Sequence, residues 1–222
     1  MIWLNENYTI KPERIKDYIL HFKDDLTPIM DSYGFRLLGL FQTWRQNELW
    51  AFWETDSAAQ LDILDKAMVD DKALAQYTRE AEQARLHWTS RMLLPTKCMP
   101  DLATVKKKQI KGEVYQIAVL PIDPTRTNEW LDLFHDIAWP LEEKYGLHTV
   151  GYWKRGGGEP YQFEFSYCMK LSAVKNWAYF ASKNNYGWAM EHDPEVQKWW
   201  AQSLPYRGHH RGSNLLPVFL PY

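Results

Sequence analysis

The sequence predicts an α+β fold made of two βαββαβ units in tandem, and two observations carry that prediction. The stretch YGFRLLGLF, Tyr33 to Phe41, returns as YGLHTVGYW, Tyr145 to Trp153, at an offset of 112 residues. The same offset sets Tyr18 over Trp130, Phe22 over Phe134 and Pro28 over Pro140. Further on, the correspondence drifts to an offset of 122, which sets Asp71 over Asp193, Arg85 over Arg207, His87 over His209 and Leu93 to Pro95 over Leu215 to Pro217. The second observation is periodicity: in each copy the apolar residues switch from helical to strand spacing twice, in the same order. Two copies are too few for a solenoid, so each reads as a compact supersecondary unit.

In the first copy, Asn7 to Ile10 is extended. Pro12 to Asp31 then carries Ile15, Tyr18, Ile19, Phe22 and Leu26 at helical spacing, with Pro12 suited to an opening turn. Phe35 to Trp44 and Leu49 to Glu54 read as strands joined by the turn Arg45-Gln46-Asn47. Asp56-Ser57 looks like the cap of a second helix, interrupted and reaching about Trp88, before a short strand Met92 to Leu94. The second copy repeats the plan. Val114 to Leu120, His148 to Lys154, Tyr161 to Met169 and Leu215 to Phe219 are its predicted strands, and Thr127 to Lys144 and Ser172 to Gln202 its predicted helices. The boundaries drawn are 1–100 for the first unit, 101–111 for a linker and 112–222 for the second. This element order is that of the ferredoxin-like unit. Such a unit covers one sheet face with helices and leaves the other open, so two fused units are expected to lay their open faces together as a fused α+β barrel.

Composition excludes several classes. The net charge is −2 with both signs interspersed, which gives no footprint for nucleic acid or an anionic membrane surface. The one basic run, Lys106 to Lys108, falls in the predicted linker and reads as solvated surface. No stretch approaches the roughly 20 apolar residues of a membrane span. The expectation is a soluble cytoplasmic protein with no membrane or nucleic-acid partner, and a homo-oligomer is compatible with it. Cys98 and Cys168 are the two cysteines and are far apart, so neither a disulfide framework nor a zinc site is suggested.

The stretches YTIKPERIKDYILHF and GFRLLGLFQTWRQNELWAFWETDS resemble the NIPSNAP family. That family's pattern is a Tyr-Thr-x-x-Pro opening, a glycine in the second strand and an Asn-x-x-x-His-x-Trp-Glu-x-x-Ser third strand. Tyr8, Thr9, Pro12, Gly39, Asn47, Trp53, Glu54 and Ser57 match it. Ala51 stands at the family's histidine position, and the second copy follows the pattern more loosely, with Phe165 at that histidine and Tyr167 at the Trp53 position. The resemblance implies a ferredoxin-like fold of the dimeric α+β barrel class. Neighbouring families of that class include cofactor-free oxygenases, cyclases, isomerases and haem enzymes.

Strict strand alternation assigns residues to faces. Phe35, Leu37, Gly39 and Phe41 are predicted under the helices. Arg36 with Trp50, Phe52, Glu54 and Asn7 would line the cavity from the first copy, and His148, Val150, Tyr152 and Lys154 with Gln116, Glu164, Ser166 and Cys168 from the second. Glu164, between two phenylalanines, would have the raised pKa of a general acid/base; His148 would share its proton and Tyr152 would hydrogen-bond an oxyanion. Arg207, His209 and His210 would attract an anionic group at the mouth. Adjacent histidines diverge, so no metal is assigned to them, and the three glycines at 156–158 form a turn and not a phosphate loop.

The function expected from this chamber is a cofactor-independent enzyme acting on an aromatic or polyketide-like small molecule by proton transfer, of cyclase, isomerase or monooxygenase type. No cofactor is assigned. The alternatives are a non-catalytic binding or protein-interaction module, and a haem or metal enzyme of the same fold.

Overall fold

The computed structural model describes residues 1–44, 47–155, 166–176, 192–208 and 211–222. They form two units, Met1–Leu94 with Leu216–Tyr222, and Pro95–Leu215. Both are α+β with ferredoxin-like strand order, as the repeat predicts.

The first unit runs β1 (Ile2–Ile10), α1 (Ile15–His21), a π turn (Phe22–Leu26), α2 (Thr27–Ser32), β2 (Arg36–Thr43), β3 (Glu48–Thr55), α3 (Ala59–Asp70), α4 (Lys72–Ala84) and β4 (Arg85–Pro95). Its strands pair antiparallel in the order β4, β1, β3, β2. Leu4, Tyr8 and Ile10 of β1 and Leu49, Ala51 and Trp53 of β3 face the helices, where Tyr18, Phe22, Leu26 and Met30 meet them. Val218 and Phe219, near the end of the chain, pack on the same core.

The second unit begins with α5 (Leu102–Lys107). It continues through β5 (Val114–Ile122), α6 (Thr127–Leu133), a π turn (Phe134–Ala138), α7 (Trp139–Lys144), β6 (Leu147–Arg155), β7 (Ser166–Val174), α8 (Pro194–Ser203) and β8 (Arg211–Phe219). Its order is β8, β5, β7, β6.

Three details of the repeated phrase have physical causes. Each first helix widens into a π turn just before Thr27-Pro28 or Trp139-Pro140. A proline inside a helix lacks an N–H and crowds the carbonyl four residues back, and a widened turn relieves both. The Tyr-Gly pair ends the helix: Gly34 and Gly146 take φ of +80° and +76°, the left-handed position that glycine occupies without strain. The second glycine marks a bulge, since the pairing register slips between Leu37 and Gly39 and between Thr149 and Gly151.

That glycine also makes room for the aromatic two residues on. A β-carbon on Gly39 would lie 2.8 Å from Phe41 Cζ, and one on Gly151 only 1.9 Å from Trp153 Cη2. Gly151→Ala must therefore displace the fully buried Trp153, and is expected to lower stability by about 1–3 kcal/mol in urea titrations. Unchanged stability would show that the indole has room to move.

The bulge corrects the face assignment. Phe35 and Leu37 lie under the helices as predicted, but the extra residue turns Gly39 and Phe41 away and brings Leu40 into the core. In β6 it does the same for Tyr152, which enters the helix-covered core beside Cys168 instead of the open face. Other boundaries also move. Arg85 to Trp88, expected as helix, are strand, because β4 pairs with β1 from Arg85 to Leu93. Ser172 likewise belongs to β7, held by β5 and β6 out to Val174. The expected linker holds α5, capped by Asp101 with Leu102 and Val105 buried. Asp56 caps nothing; its carboxylate takes Arg36 Nη2 at 2.6 Å, and α3 follows Ala58.

The equivalence of Asp71 and Asp193 is structural. Each caps a helix, Asp71 through Ala73 N and Leu74 N and Asp193 through Glu195 N. Each also accepts the phenol of its unit's Tyr-Gly pair, Tyr33 at 2.6 Å on Asp71 and Tyr145 on Asp193. The Tyr33 phenol, followed by the Leu74 N–H, holds the Asp71 carboxyl below its usual range. Stability from this pair is thus present above the ordinary aspartate pKa and is lost as pH falls through the lowered value. Tyr33→Phe is expected to shrink the stability difference between pH 6 and pH 3, and an unchanged difference would remove the pair from the acid response.

Candidate functional site

The two units treat the space between sheet and helices differently. In the first, Glu6, Tyr8 and Trp53 occupy it. Glu6 is buried there, with Oε2 accepting from the Tyr8 hydroxyl at 2.5 Å and from Trp53 Nε1 at 2.7 Å. Burial raises the Glu6 pKa, and those two bonds oppose the rise. Arg85 closes the cluster, donating from Nε to the Tyr18 hydroxyl at 2.9 Å, with its guanidinium 5.0 Å from the centre of the Tyr8 ring.

In the second unit the same space is a cavity of about 460 Å³, within the range of small-molecule sites. Gln116, Ala118 and Leu120 of β5, Tyr152 of β6 and Lys170 of β7 form its floor; Trp130, Phe134, Glu142, Trp199 and Trp200 come from the helical side, and Arg207 from beyond α8. Aromatic groups hold the walls. Trp130 donates from Nε1 to the Tyr152 hydroxyl at 2.7 Å, and the rings of Phe134 and Tyr152, 4.5 Å apart between centroids, and of Trp130 and Trp199, 5.4 Å apart, meet tilted at 39°. The Arg207 guanidinium lies 3.9 Å from the Trp200 ring centre and donates from Nε to Ser203 Oγ at 3.1 Å.

Strand register explains the contrast. Ala51 pairs with Glu6 and Leu40, while Lys170 pairs with Ala118 and Tyr152. Trp53 pairs with Leu4 and Leu37, while Ser172 pairs with Gln116 and Thr149, so Lys170 and Ser172, and not Phe165 and Tyr167 as the motif alignment set them, stand at the Ala51 and Trp53 positions. Ala118, Leu120 and Ser172 therefore stand where the first unit has Glu6, Tyr8 and Trp53, and the smaller Ala118 and Leu120 line the space. Gln116, Glu142 and Lys170 stand where it has Leu4, Met30 and Ala51, and make the space polar.

The buried pair is Lys170 with Glu142, joined through Lys170 Nζ and Glu142 Oε1, with the two side chains 11% and 7% exposed. Burial pushes the Glu142 carboxyl up, and the Lys170 ammonium partly offsets this. Lys170 also lies 5.4 Å from the Phe134 ring centre. Glu142 Oε2 is buried and, among the described residues, has no hydrogen-bond partner. Glu142 is among the residues that line the aromatic cavity, and a carboxylate so placed can take a proton from a bound ligand. Burial also pushes the Tyr152 phenol well up, so that it stays protonated as a donor, and the Cys168 thiol to about 12. Among the described residues, no group of three or more His, Cys, Asp or Glu side chains is placed to hold a metal ion. No described helix is long and apolar enough to cross a membrane.

The residues singled out in the sequence divide into groups. Gln116, Tyr152 and Arg207 line the second unit's cavity. Asn7, Trp50, Phe52 and Glu54 lie on the sheet face of the first unit opposite its helices, with Phe41 and Phe52 in edge contact at 6.0 Å. Arg36 donates from Nε to Glu54 Oε2 at 3.0 Å. His148 shares a hydrogen bond of 2.5 Å with Glu143 outside the cavity. Glu164, His209, His210 and the turn at 156–158 lie outside the described residues. Glu142 and Lys170 escaped the sequence reading, although setting Glu142 against Met30 across the repeat marks a charge where the other copy is apolar.

No family model matches the chain, and none of the curated proteins does. Solved structures do. The chain is similar to an anthrone oxidase-like protein, with TM-score 0.63 and 11% identity over 98% of this chain and 91% of that one. It is similar to a "putative monooxygenase" from Lactobacillus acidophilus, with TM-score 0.61 and 8% identity over 99% and 94%. NIPSNAP proteins are also among the similar structures, one from Burkholderia xenovorans with TM-score 0.41 and 19% identity over 46% of this chain and 100% of that one. The likeness is one of fold.

Proposed function

We propose that the chain is a cofactor-independent enzyme that removes a proton from an aromatic or polyketide-like molecule held in the second unit's cavity. One observation carries this reading: the Glu142–Lys170 pair is buried in an aromatic cavity, at positions where the first unit builds the same fold with Met30 and Ala51. A buried ion pair seldom adds stability over an apolar pair of like volume, so its presence calls for another reason. Two proteins of this fold being named for anthrone oxidation and monooxygenation agrees with it.

In this mechanism the aromatic walls orient a planar ring, and Gln116 and Arg207 hold its polar substituents. Glu142 takes a proton from an activated methylene or phenol. The resulting anion is stabilised by the Lys170 ammonium and the Tyr152 hydroxyl. With anthrone, the enolate so formed reacts with dioxygen at the former methylene carbon, making a C–O bond. Loss of the remaining proton from that carbon, with cleavage of the O–O bond, releases anthraquinone and water. Dioxygen is the oxidant and both its oxygen atoms are accounted for.

The test is anthrone oxidation by protein freed of metals and flavins, monitored by dioxygen uptake and anthraquinone absorbance. One dioxygen consumed per anthraquinone, at a rate proportional to protein, is expected. A rate no greater than buffer for anthrone and for a panel of hydroxylated anthrones would overturn the oxygenase form of the reading.

A further inference from the structure

We infer that the second unit's cavity takes an aromatic carboxylate, whose anionic group lies over Ala118 and Gly212 and is answered by Arg207, as the first unit answers its own Glu6 with Arg85. This rests on the cavity assigned above and adds the charge that its ligand must carry.

Arg85 and Arg207 are equivalent in the fold as well as in the sequence. Arg85 faces Ile10 at the end of β1, and Arg207 faces Ile122 at the end of β5. Each gives its Nε to a neutral hydroxyl, Arg85 to Tyr18 at 2.9 Å and Arg207 to Ser203 at 3.1 Å. Each also lays its guanidinium against a ring, Tyr8 at 5.0 Å and Trp200 at 3.9 Å from the centre. In the first unit this cation serves a carboxylate: burial raises the Glu6 carboxyl, and the Tyr8 and Trp53 bonds, then the Arg85 charge, oppose the rise. Arginine keeps its charge at every pH the protein meets, so the cation is a fixed feature of both units.

The second unit keeps the arginine and drops the carboxylate. The cross-strand row that reads Ser90, Glu6, Ala51 and Leu40 in the first unit reads Gly212, Ala118, Lys170 and Tyr152 in the second. All four of the latter line the cavity, with Ala118 half-buried and Gly212 exposed. Side by side, these two small residues leave the place of the Glu6 side chain open on an accessible floor. Lys170 brings a second cation, but Glu142 is joined to it and offsets it. Among the described lining residues the charges are thus two cations against one carboxylate. Gln116 and Asn214, paired across β5 and β8 at the next row of the floor, add amide donors. An occupant that restores the first unit's carboxylate, on a body that the walls of Trp130, Phe134 and Trp199 accept, is an aromatic acid bound as its anion.

The experiment measures binding of 2-naphthoate and 2-naphthamide, alike in shape and different in charge, to the full chain by equilibrium dialysis near neutral pH. The wild type is expected to bind 2-naphthoate at least about tenfold more tightly than 2-naphthamide, the gain from giving the guanidinium a charged acceptor. Arg207→Gln is expected to remove that preference by weakening 2-naphthoate, with 2-naphthamide little changed. Ala118→Glu rebuilds the Glu6 carboxylate in the second unit and is expected to abolish 2-naphthoate binding. Equal affinity for the two probes, binding of neither, a preference that survives in Arg207→Gln, or full binding in Ala118→Glu would overturn the inference. If a variant does not fold, the preference of the wild type decides. A preference that depends on Arg207, alongside anthrone oxidation unchanged in Glu142→Gln, would sink the proton-transfer reading and leave this inference standing. Equal affinity for the two probes, with oxidation lost in Glu142→Gln, would do the reverse.

Discussion

Lys170→Ala is expected to destabilise the protein by about 3–5 kcal/mol at pH 8, because it leaves the Glu142 carboxylate buried without its counter-charge. The double variant Glu142→Met, Lys170→Ala, which copies the Met30 and Ala51 of the first unit, is expected to be as stable as the wild type or more so by about 1–4 kcal/mol. The pH dependence has a definite sign. Burial sets the folded-state pKa of Glu142 above its unfolded value, so the folded chain holds the extra proton. Stability is then full below the unfolded pKa of about 4.3 and is lost as pH rises through the folded value. Lys170 limits that rise, so removing it widens the window, and the penalty should be much smaller at pH 5 than at pH 8. Urea titrations at the two pH values measure both effects. A single-variant loss under about 1 kcal/mol at pH 8 would mean that Glu142 reaches solvent and is not the buried base proposed.

Glu142→Gln is expected to lower anthrone oxidation by roughly 10²- to 10⁴-fold, the usual contribution of a positioned proton carrier. Glutamine keeps the size of the side chain and can still accept from Lys170, but it cannot take a proton. Affinity for the aromatic should change little, since Trp130, Phe134, Tyr152 and Trp199 are untouched. In the wild type the rate should rise with pH through the raised Glu142 pKa, and the variant should lose that limb. A variant that keeps both rate and limb would assign the proton transfer to another group.

Much of the fold was legible because its causes are local. The helical spacing of Ile15, Tyr18, Ile19 and Phe22 and the 112-residue echo of Tyr33 to Phe41 are enough to place two βαββαβ units. What alternation misassigned traces to one feature. A bulge adds a residue without changing the composition of a strand, and everything beyond Leu38 and Val150 changes face. The glycines at 39 and 151 were its visible sign. Tyr152 thus reaches a cavity on the face opposite to the expected one.

The buried pair was harder to see. Glu142 sits in a helix beside Glu143 and Lys144 and reads as surface. Only packing shows that it is buried while Glu143 is exposed. Lys170 shares its strand face with Cys168 and Ser172, a pattern with no apolar alternation to reveal burial. For both, the informative comparison was with the other copy, where Met30 and Ala51 show that the fold does not require charge there.

The central claim is that Glu142 moves a proton at carbon inside the second unit, and hydrogen exchange under argon tests that step apart from any reaction with dioxygen. Anthrone in deuterium oxide exchanges its methylene hydrogens slowly, and mass spectrometry measures the exchange. The account predicts that the wild type accelerates this exchange in proportion to protein, with saturation in anthrone, while Glu142→Gln exchanges at the buffer rate. Equal acceleration by wild type and Glu142→Gln would contradict it.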